Sequence, residues 1–288
     1  MKIIITFLLI LTTLFSLEKG FTSYSNKDYK TAFKELHALL NNAQAYYLLG
    51  NMYYSGQGTV VNKTKAISMW KKAADLNLVR AQYKLGNVYY LGKGTLKDDK
   101  KAFVWYNKAA ENGVSKAQYL TAFMCENGQG TKKDSKKAVS LYKKSAASGN
   151  IDAIFALGVI YEKGKGVKVD MKKAFEYYQE AADKDDAGAQ AFLAVMYEEA
   201  KGTKQDLKKA LFWYTKAAES GYALAQHRLG LMYYDGYGVK KDVDKAIYWN
   251  KKAAEQGDIF AQSSLGAIYC KINGGEHKHD EQTHKHQH

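Results

Sequence analysis

The chain has 288 residues, of which 43 are basic and 29 acidic, so its formal net charge at pH 7 is +14. Arg80 and Arg228 are its only arginines, whereas proteins that bind nucleic acid favour arginine for bidentate contacts to bases and phosphates. We therefore expect no nucleic-acid partner and, from the evenly spread lysines, only a weak and salt-sensitive attraction to anionic surfaces.

The first residues have the pattern of an export signal. Lys2 is followed by a mostly apolar run over residues 3–15, which is too short to span a bilayer and typical of a secretory signal. We assign residues 1–20 to the signal peptide, with Ser16 as the best-placed final residue before cleavage. The sequence thus predicts an exported protein, periplasmic or secreted, or in the lumen of the endoplasmic reticulum if eukaryotic; an uncleaved anchor is the alternative.

Residues 24–44 are predicted to form a capping helix. Within them Ala32, Phe33, Leu36 and Leu39 share the helical spacing of one buried face. A stacked array requires terminal units that cover its exposed core.

The rest of the chain repeats every 36 residues. Each copy opens on an alanine, at Ala45, Ala81, Ala117, Ala153, Ala189, Ala225 and Ala261. A period of this length indicates a solenoid, in which each unit buries its apolar face only against its neighbours. We predict six full repeats over 45–260 and a capping half repeat over 261–273.

Each repeat is predicted to hold two helices, A and B. In the copy that opens at Ala81, residues Leu85 and Tyr89 extend one face of helix A. A Gly-x-Gly loop then ends helix A, because glycine adopts left-handed turn geometry readily. Helix B follows a short capping acceptor, which is Asn62, Asp98, Asp134, Asp170, Asp206 or Asp242 in successive repeats.

The pattern A-x-x-x-L-G-x-x-Y-x-x-G-x-G, followed by D-x-x-K-A-x-x-x-Y/W-x-x-A-A-x-x-G, resembles the Sel1-like repeat, a relative of the tetratricopeptide repeat with a longer first loop. The resemblance implies an all-α fold, a right-handed superhelix of antiparallel helix pairs with a concave face lined by helix A. It also implies a scaffold for protein–protein interaction, since exported bacterial members include host-interaction factors and envelope regulators. Thr121, Cys125 and Ala200 depart from the pattern locally.

We predict that a protein or peptide segment binds along helix A, on side chains 2, 6, 9 or 10 residues after each repeat's alanine. Early repeats supply mainly tyrosines and asparagines, and later repeats supply carboxylates, so the groove suits an extended segment that carries basic residues. The predicted groove residues are Tyr47, Asn51, Tyr54, Tyr83, Asn87, Tyr90, Tyr119, Glu126, Glu162, Glu198, Glu199, Tyr234 and Asp235. The alternative is that some of these tyrosines only pack between helices.

Signals for an enzyme are weak. Some Sel1-like proteins have been linked to penicillin binding or hydrolysis, and Ser-x-x-Lys occurs at Ser68 and Ser140. Both matches lie at ordinary helix B positions, and the companion S-D-N and K-T-G motifs do not occur. The sequence therefore predicts no enzyme, with a β-lactam-binding or β-lactam-hydrolysing protein as the alternative.

The segment 274–288 is predicted to be a disordered, histidine-rich tail. Its histidines could collect Zn, Ni or Cu ions weakly, and they are His277, His279, His284, His286 and His288. A metal-responsive exported protein is therefore a further alternative. We expect no other cofactor.

The two cysteines, Cys125 and Cys270, stand four repeats apart. Since each helix pair advances the stack by about 10 Å, one chain cannot join them in a disulfide. We predict free thiols in a monomer, with an intermolecular bridge through Cys270 as the alternative.

Overall fold

A computed structural model of the chain describes residues 18–39 and 41–283, with side chains described as far as Ile272. Every regular element in this part of the chain is an α-helix. The apolar run of the predicted signal peptide, residues 3–15, lies outside the described residues. Among the described helices, none is long and apolar enough to cross a membrane.

The helices follow the predicted alternation. Residues 18–25 form α1. Helix B corresponds to α2 (Tyr29–His37), α4 (Lys63–Asp75), α6 (Asp99–Glu111), α8 (Ser135–Ala147), α10 (Met171–Ala182), α12 (Leu207–Glu219) and α14 (Val243–Glu255). Helix A corresponds to α3 (Ala43–Ser55), α5 (Val79–Leu91), α7 (Ser115–Asn127), α9 (Ile151–Lys163), α11 (Ala187–Glu198), α13 (Ala223–Asp235) and α15 (Ile259–Thr283).

The chain divides into two compact units, Met1–Asn150 and Ile151–His288. The first unit holds the N-terminal helices and three repeats, and the second holds three repeats and α15. Within each unit, every helix A packs on the helix B that follows it, and that helix B packs on the next helix A. This is the predicted all-α solenoid arrangement of helix pairs, repeated in both units.

Local sequence fixes the helix boundaries. At the start of α6 the side chain of Asp98 accepts a hydrogen bond from the backbone N–H of Lys101, at 2.9 Å. The five equivalent Asp or Asn residues make the same cap, so this prediction is confirmed in all six repeats. Where helix A lacks its closing glycine, Ala200 adopts the left-handed conformation instead, with a φ of 55°.

In each of the first five repeats the core contains a buried aromatic ring from helix B. Tyr106 of α6 is buried, and a Cβ added at Gly86 of α5 would overlap its ring. The buried rings of the first five repeats are Trp70, Tyr106, Tyr142, Tyr178 and Tyr214. Burial of each such ring stabilises the fold by about 1.5–3 kcal/mol. The sixth repeat has Asn250 at this position.

The N-terminal cap differs from the prediction of one helix over 24–44. The chain reverses at Lys27, whose φ is 62°, and Asp28 caps a separate helix, α2. Ala32 and Leu36 are buried as predicted. The two helices α1 and α2 therefore form a shortened helix pair ahead of the first repeat.

The C-terminal helix also differs from the prediction. The capping half repeat was expected to end at residue 273 and to be followed by disorder from 274, but α15 continues to Thr283. The segment contains no proline, and its Glu, Lys and Gln residues are good helix formers, whereas Gly274 and Gly275 at its start oppose the helix. Residues 284–288 lie outside the described residues.

Candidate functional site

The predicted groove residues lie on the accessible side of helix A. Each of the thirteen is half-buried or exposed, and none is buried. Eight of them belong to the unit Met1–Asn150 and five to the unit Ile151–His288.

Five groove residues are also hydrogen-bond acceptors for the buried rings. In the first two repeats the acceptor is an asparagine six residues after the alanine, and in the next three it is a glutamate nine residues after it. The bonds are Trp70 Nε1 to Asn51 Oδ1 at 3.1 Å, Tyr106 Oη to Asn87 Oδ1 at 2.8 Å, Tyr142 Oη to Glu126 Oε2 at 3.1 Å, Tyr178 Oη to Glu162 Oε2 at 2.7 Å and Tyr214 Oη to Glu198 Oε2 at 2.6 Å. A buried donor left without an acceptor would cost about 1–3 kcal/mol.

This acceptor role was missed in the sequence, although the signal was present. In the first five repeats, an aromatic residue with a polar donor stands 25 residues after the alanine, and Asn or Glu stands 6 or 9 residues after it. In the sixth repeat Asn250 provides no hydroxyl, and helix A there has Leu231 and Tyr234 at the two acceptor positions. An acceptor on helix A thus accompanies each of the five buried donors, and neither acceptor position is polar in the same way where the donor is missing.

The groove tyrosines pack against the same rings while they remain partly exposed. The ring centroids are 5.4 Å apart for Tyr54 and Trp70, and 6.1 Å apart for Tyr90 and Tyr106. Tyr119 lies 5.7 Å from Tyr142. These tyrosines are therefore both packing residues and available surface, so the two sequence interpretations are not exclusive.

The helix α1 covers part of the predicted groove in the first repeat. The Tyr24 side chain hydrogen-bonds to Asn51, lies near Tyr47 and has its pKa raised by burial. Phe21 and Tyr24 pack with the first hydrophobic cluster of the unit. The accessible helix A surface of this unit is therefore centred on α5 and α7.

Basic side chains lie over the groove tyrosines of the unit Met1–Asn150. The Arg80 guanidinium is 4.8 Å from the ring centroid of Tyr47, and Lys84 Nζ is 5.0 Å from that of Trp70. Such cation–π contacts contribute about 0.5–1 kcal/mol each at exposed sites. The helices α3 and α5 contain no acidic residue. The predicted aromatic part of the groove is therefore also basic, which was not predicted from the sequence.

The helix A surface of the unit Ile151–His288 carries carboxylates with several cations among them. A cavity of about 310 Å³ is lined by Glu198, Asp235 and Arg228, among others. Glu199 forms an ion pair of 2.5 Å with Lys201. Since Glu198 accepts from Tyr214 and Glu199 pairs with lysine, the two adjacent glutamates have separate partners and do not form a catalytic acid and base pair.

The pKa of the Glu162 carboxyl, on this surface, is shifted by its neighbours. Burial raises the pKa of its carboxyl, but the hydrogen bonds from Tyr178 and Lys163, with the charges of Lys163 and Lys201, outweigh burial and bring the pKa below the ordinary value of 4.5. Its carboxylate is therefore held ionised at neutral pH. It forms an ion pair of 3.0 Å with Lys163.

The remaining predicted positions form no assembled site in the described part of the chain. Ser68 and Ser140 lie exposed on helix B. No group of three or more His, Cys, Asp or Glu side chains is arranged to hold a metal there. Of the tail histidines, His277 and His279 belong to α15, of which only the backbone is described at these positions. The other three, His284, His286 and His288, lie outside the described residues.

The two cysteines are free thiols. Cys125 is buried and Cys270 is exposed. Burial raises the pKa of the Cys125 thiol, which keeps it protonated and unreactive at neutral pH.

Comparison with known protein families identifies one family along most of the chain. The family model of the Sel1 repeat matches six consecutive segments, residues 43–78, 79–114, 115–150, 151–186, 187–222 and 223–258. No curated protein matches the chain.

Two solved structures are similar in both sequence and fold. One is a protective antigen present in uropathogenic Escherichia coli strains that displays an SLR fold, with 32% identity, a TM-score of 0.81 and coverage of 91% of this chain. This chain spans 56% of that protein. The other is a Sel1 repeat protein from Oxalobacter formigenes, with 33% identity, a TM-score of 0.67 and coverage of 84% of this chain and 96% of that one.

Proposed function

Because the chain belongs to the Sel1 repeat family, whose members generally mediate protein–protein interactions, we propose that it is a scaffold that binds a segment of a partner protein along helix A. The observation that carries the proposal is the row of partly exposed tyrosines, each packed against a buried ring. Tyr54, Tyr90 and Tyr119 are held in this way by Trp70, Tyr106 and Tyr142. Aromatic side chains fixed before binding lose little entropy when a partner covers them.

The charge of each unit suggests which part of the partner it binds. In the unit Ile151–His288, Glu162, Glu198 and Asp235 present carboxylates on helix A, so this surface is suited to basic side chains of the partner. Most lysines of helix B are exposed, and they would support a weak attraction to anionic surfaces. A binding scaffold of this kind requires no catalytic residue and no cofactor.

We further propose that the chain is exported, and that it acts outside the cytoplasm in host interaction or envelope signalling. Lys2 and the apolar run over 3–15 support export. The similarity to a protective antigen of uropathogenic Escherichia coli supports exposure to a host, as that protein shares 32% of its residues over nearly the whole of this chain.

Site-specific photo-cross-linking tests the proposal. Phe123 of α7 and Phe212 of α12 are both exposed, the first on helix A and the second on helix B. Each can be replaced in the full chain by a benzophenone-bearing phenylalanine with little change in the packed core. We expect position 123 to form a discrete cross-link with one protein of the native envelope or culture medium, and position 212 to form none.

Equal cross-linking at the two positions would mean that helix A is not the binding face. No cross-link at position 123, in cells that contain the chain at its native level, would contradict the scaffold proposal itself.

A further inference from the structure

We propose that the unit Met1–Asn150 contains a carboxylate-binding site between α3 and α5, and that its occupant is an acidic side chain of the bound protein segment. This inference rests on the proposed function and assigns a partner chemistry to one part of it. The site is a cavity of about 220 Å³ lined by Tyr54, Lys84, Asn87, Val88, Leu91 and Lys93.

Two ammonium groups in the cavity wall have no counter-ion. Among the described residues, neither Lys84 nor Lys93 forms an ion pair with a carboxylate. The Lys84 ammonium instead rests near the rings of Tyr54 and Trp70, at 5.8 and 5.0 Å from their centroids. These rings hold the half-buried ammonium group in place. A carboxylate is the group that would form a charge-assisted hydrogen bond with it.

Asn87 adds an oriented hydrogen-bond donor. Its Oδ1 accepts the hydroxyl proton of the buried Tyr106 at 2.8 Å, so the amide nitrogen Nδ2 is the atom left to face a ligand. In the described part of the chain this nitrogen has no hydrogen-bond partner. In this orientation Asn87 presents a donor to the cavity, which favours an anion over a cation.

The residues around the cavity also favour a negatively charged ligand. No carboxylate lines it, α3 and α5 contain no acidic residue, and Lys63 lies 5.9 Å from the ring centroid of Tyr54. In the later repeats, the residue that accepts the hydrogen bond from the buried tyrosine is instead a glutamate. An example is Glu162, which accepts from Tyr178. The two kinds of repeat thus give opposite charge to equivalent surfaces.

The size of the cavity restricts the occupant. Pockets for small molecules and cofactors usually measure about 300–1,000 Å³, so a cavity of about 220 Å³ suits one side chain. Val88 and Leu91 supply an apolar wall for the methylene groups of that side chain. A peptide carboxylate satisfies the charge, the donor and the volume together.

A fluorescence-anisotropy titration tests the site directly. The probe is a short labelled peptide of alternating glutamate and alanine, with matched peptides that carry glutamine or lysine in place of glutamate. We expect the full chain to bind the glutamate peptide at least about tenfold more tightly than the glutamine peptide, with affinity that falls as salt rises.

Two substitutions locate the binding. Lys84→Gln removes the cation, and Asn87→Asp replaces the donor with a carboxylate that still accepts from Tyr106, as Glu126 does from Tyr142. We expect each to weaken binding of the glutamate peptide by about tenfold or more. Lys136→Gln, which removes the same charge from an exposed position at the start of α8, should change affinity by less than about twofold.

Equal binding of the glutamate and glutamine peptides would overturn the inference, and so would an affinity that Lys84→Gln and Lys136→Gln change equally. Failure of the glutamate peptide to bind would overturn it as well. In each of these cases a cross-link at position 123 would leave the scaffold proposal standing, so the two proposals fail separately.

Discussion

The hydroxyl of a buried tyrosine requires a hydrogen-bond acceptor on the neighbouring helix A, and either an asparagine or a glutamate supplies it. Tyr106 is satisfied by Asn87 and Tyr178 by Glu162, although the two acceptors stand at different positions in their repeats. The two solutions are equivalent for the core but not for the surface, because an amide leaves a donor exposed and a carboxylate leaves a negative charge. Surface charge in this protein is therefore coupled to core packing.

The coupling predicts a pH-dependent contribution of Glu162 to stability. Since its pKa is lowered in the folded chain, its stabilising effect is present above the ordinary value of 4.5 and is lost as the pH falls through the lowered value. Between about pH 5 and pH 3, we expect the free energy of unfolding to fall more steeply for the wild-type chain than for Glu162→Gln, which retains an acceptor for Tyr178.

Urea unfolding at a series of pH values measures this difference. Glu255→Gln, at an exposed site on α14, is the matched control and should follow the wild-type profile. Parallel profiles for Glu162→Gln and the wild type would show that the Tyr178 hydrogen bond does not depend on the ionised carboxylate.

At the scale of elements, α1 belongs to the folded first unit even though the sequence places its beginning in the signal peptide. Gly20 is buried, with Leu36 Cδ2 3.0 Å from the position of a Cβ built on it. Lys19 forms an ion pair of 2.7 Å with Glu35. Cleavage after Ser16 would keep these contacts, whereas cleavage after Gly20 would remove them.

A truncation series tests the importance of α1. A chain that starts at residue 26 should unfold more easily than one that starts at residue 17, by about 1–3 kcal/mol, because Phe21 and Tyr24 no longer cover the apolar end of the first unit. The free energy of unfolding from urea denaturation and the sequenced N-terminus of the exported protein provide the measurements. Equal stability of the two chains would indicate that α1 is not part of the cap.

Within the six repeats, the helices and their ends could be predicted from the sequence, because they depend on local chemistry repeated six times, whereas the terminal helices differed from the prediction. Asp98 and its equivalents cap helix B wherever they occur, and small residues such as Gly86 mark where a ring crosses helix A. The 36-residue period was enough to predict which side of helix A is buried in the core and which side is accessible. These features involve residues close in sequence or one repeat apart.

The chemistry of the candidate site was less predictable, because it depends on how side chains meet across helices. The asparagines and glutamates were identified as groove residues, but their bonds to buried rings 16 or 19 residues further along the chain were not. The placement of Lys84 over Trp70 joins residues of two repeats. Such contacts follow from the packed geometry, which a periodic pattern does not specify.

At the scale of the whole molecule, each unit repeats one architecture while its helix A surface carries a different charge. The unit Met1–Asn150 combines Tyr54, Lys84 and Asn87, and the unit Ile151–His288 combines Glu162, Glu198 and Asp235. The repeats thus share one backbone arrangement, and single residues on helix A make their surfaces differ in charge.

The affinity of the cross-linked partner for surface variants tests the central claim, that helix A is the binding face. Leu91→Ala with Phe123→Ala alters exposed apolar side chains on helix A, and Leu76→Ala with Val104→Ala alters similarly exposed ones in the same unit on and beside helix B. We predict that the first pair weakens binding by about tenfold or more and that the second pair changes it by less than about twofold. Equal losses from the two pairs, or a greater loss from the second, would contradict the account.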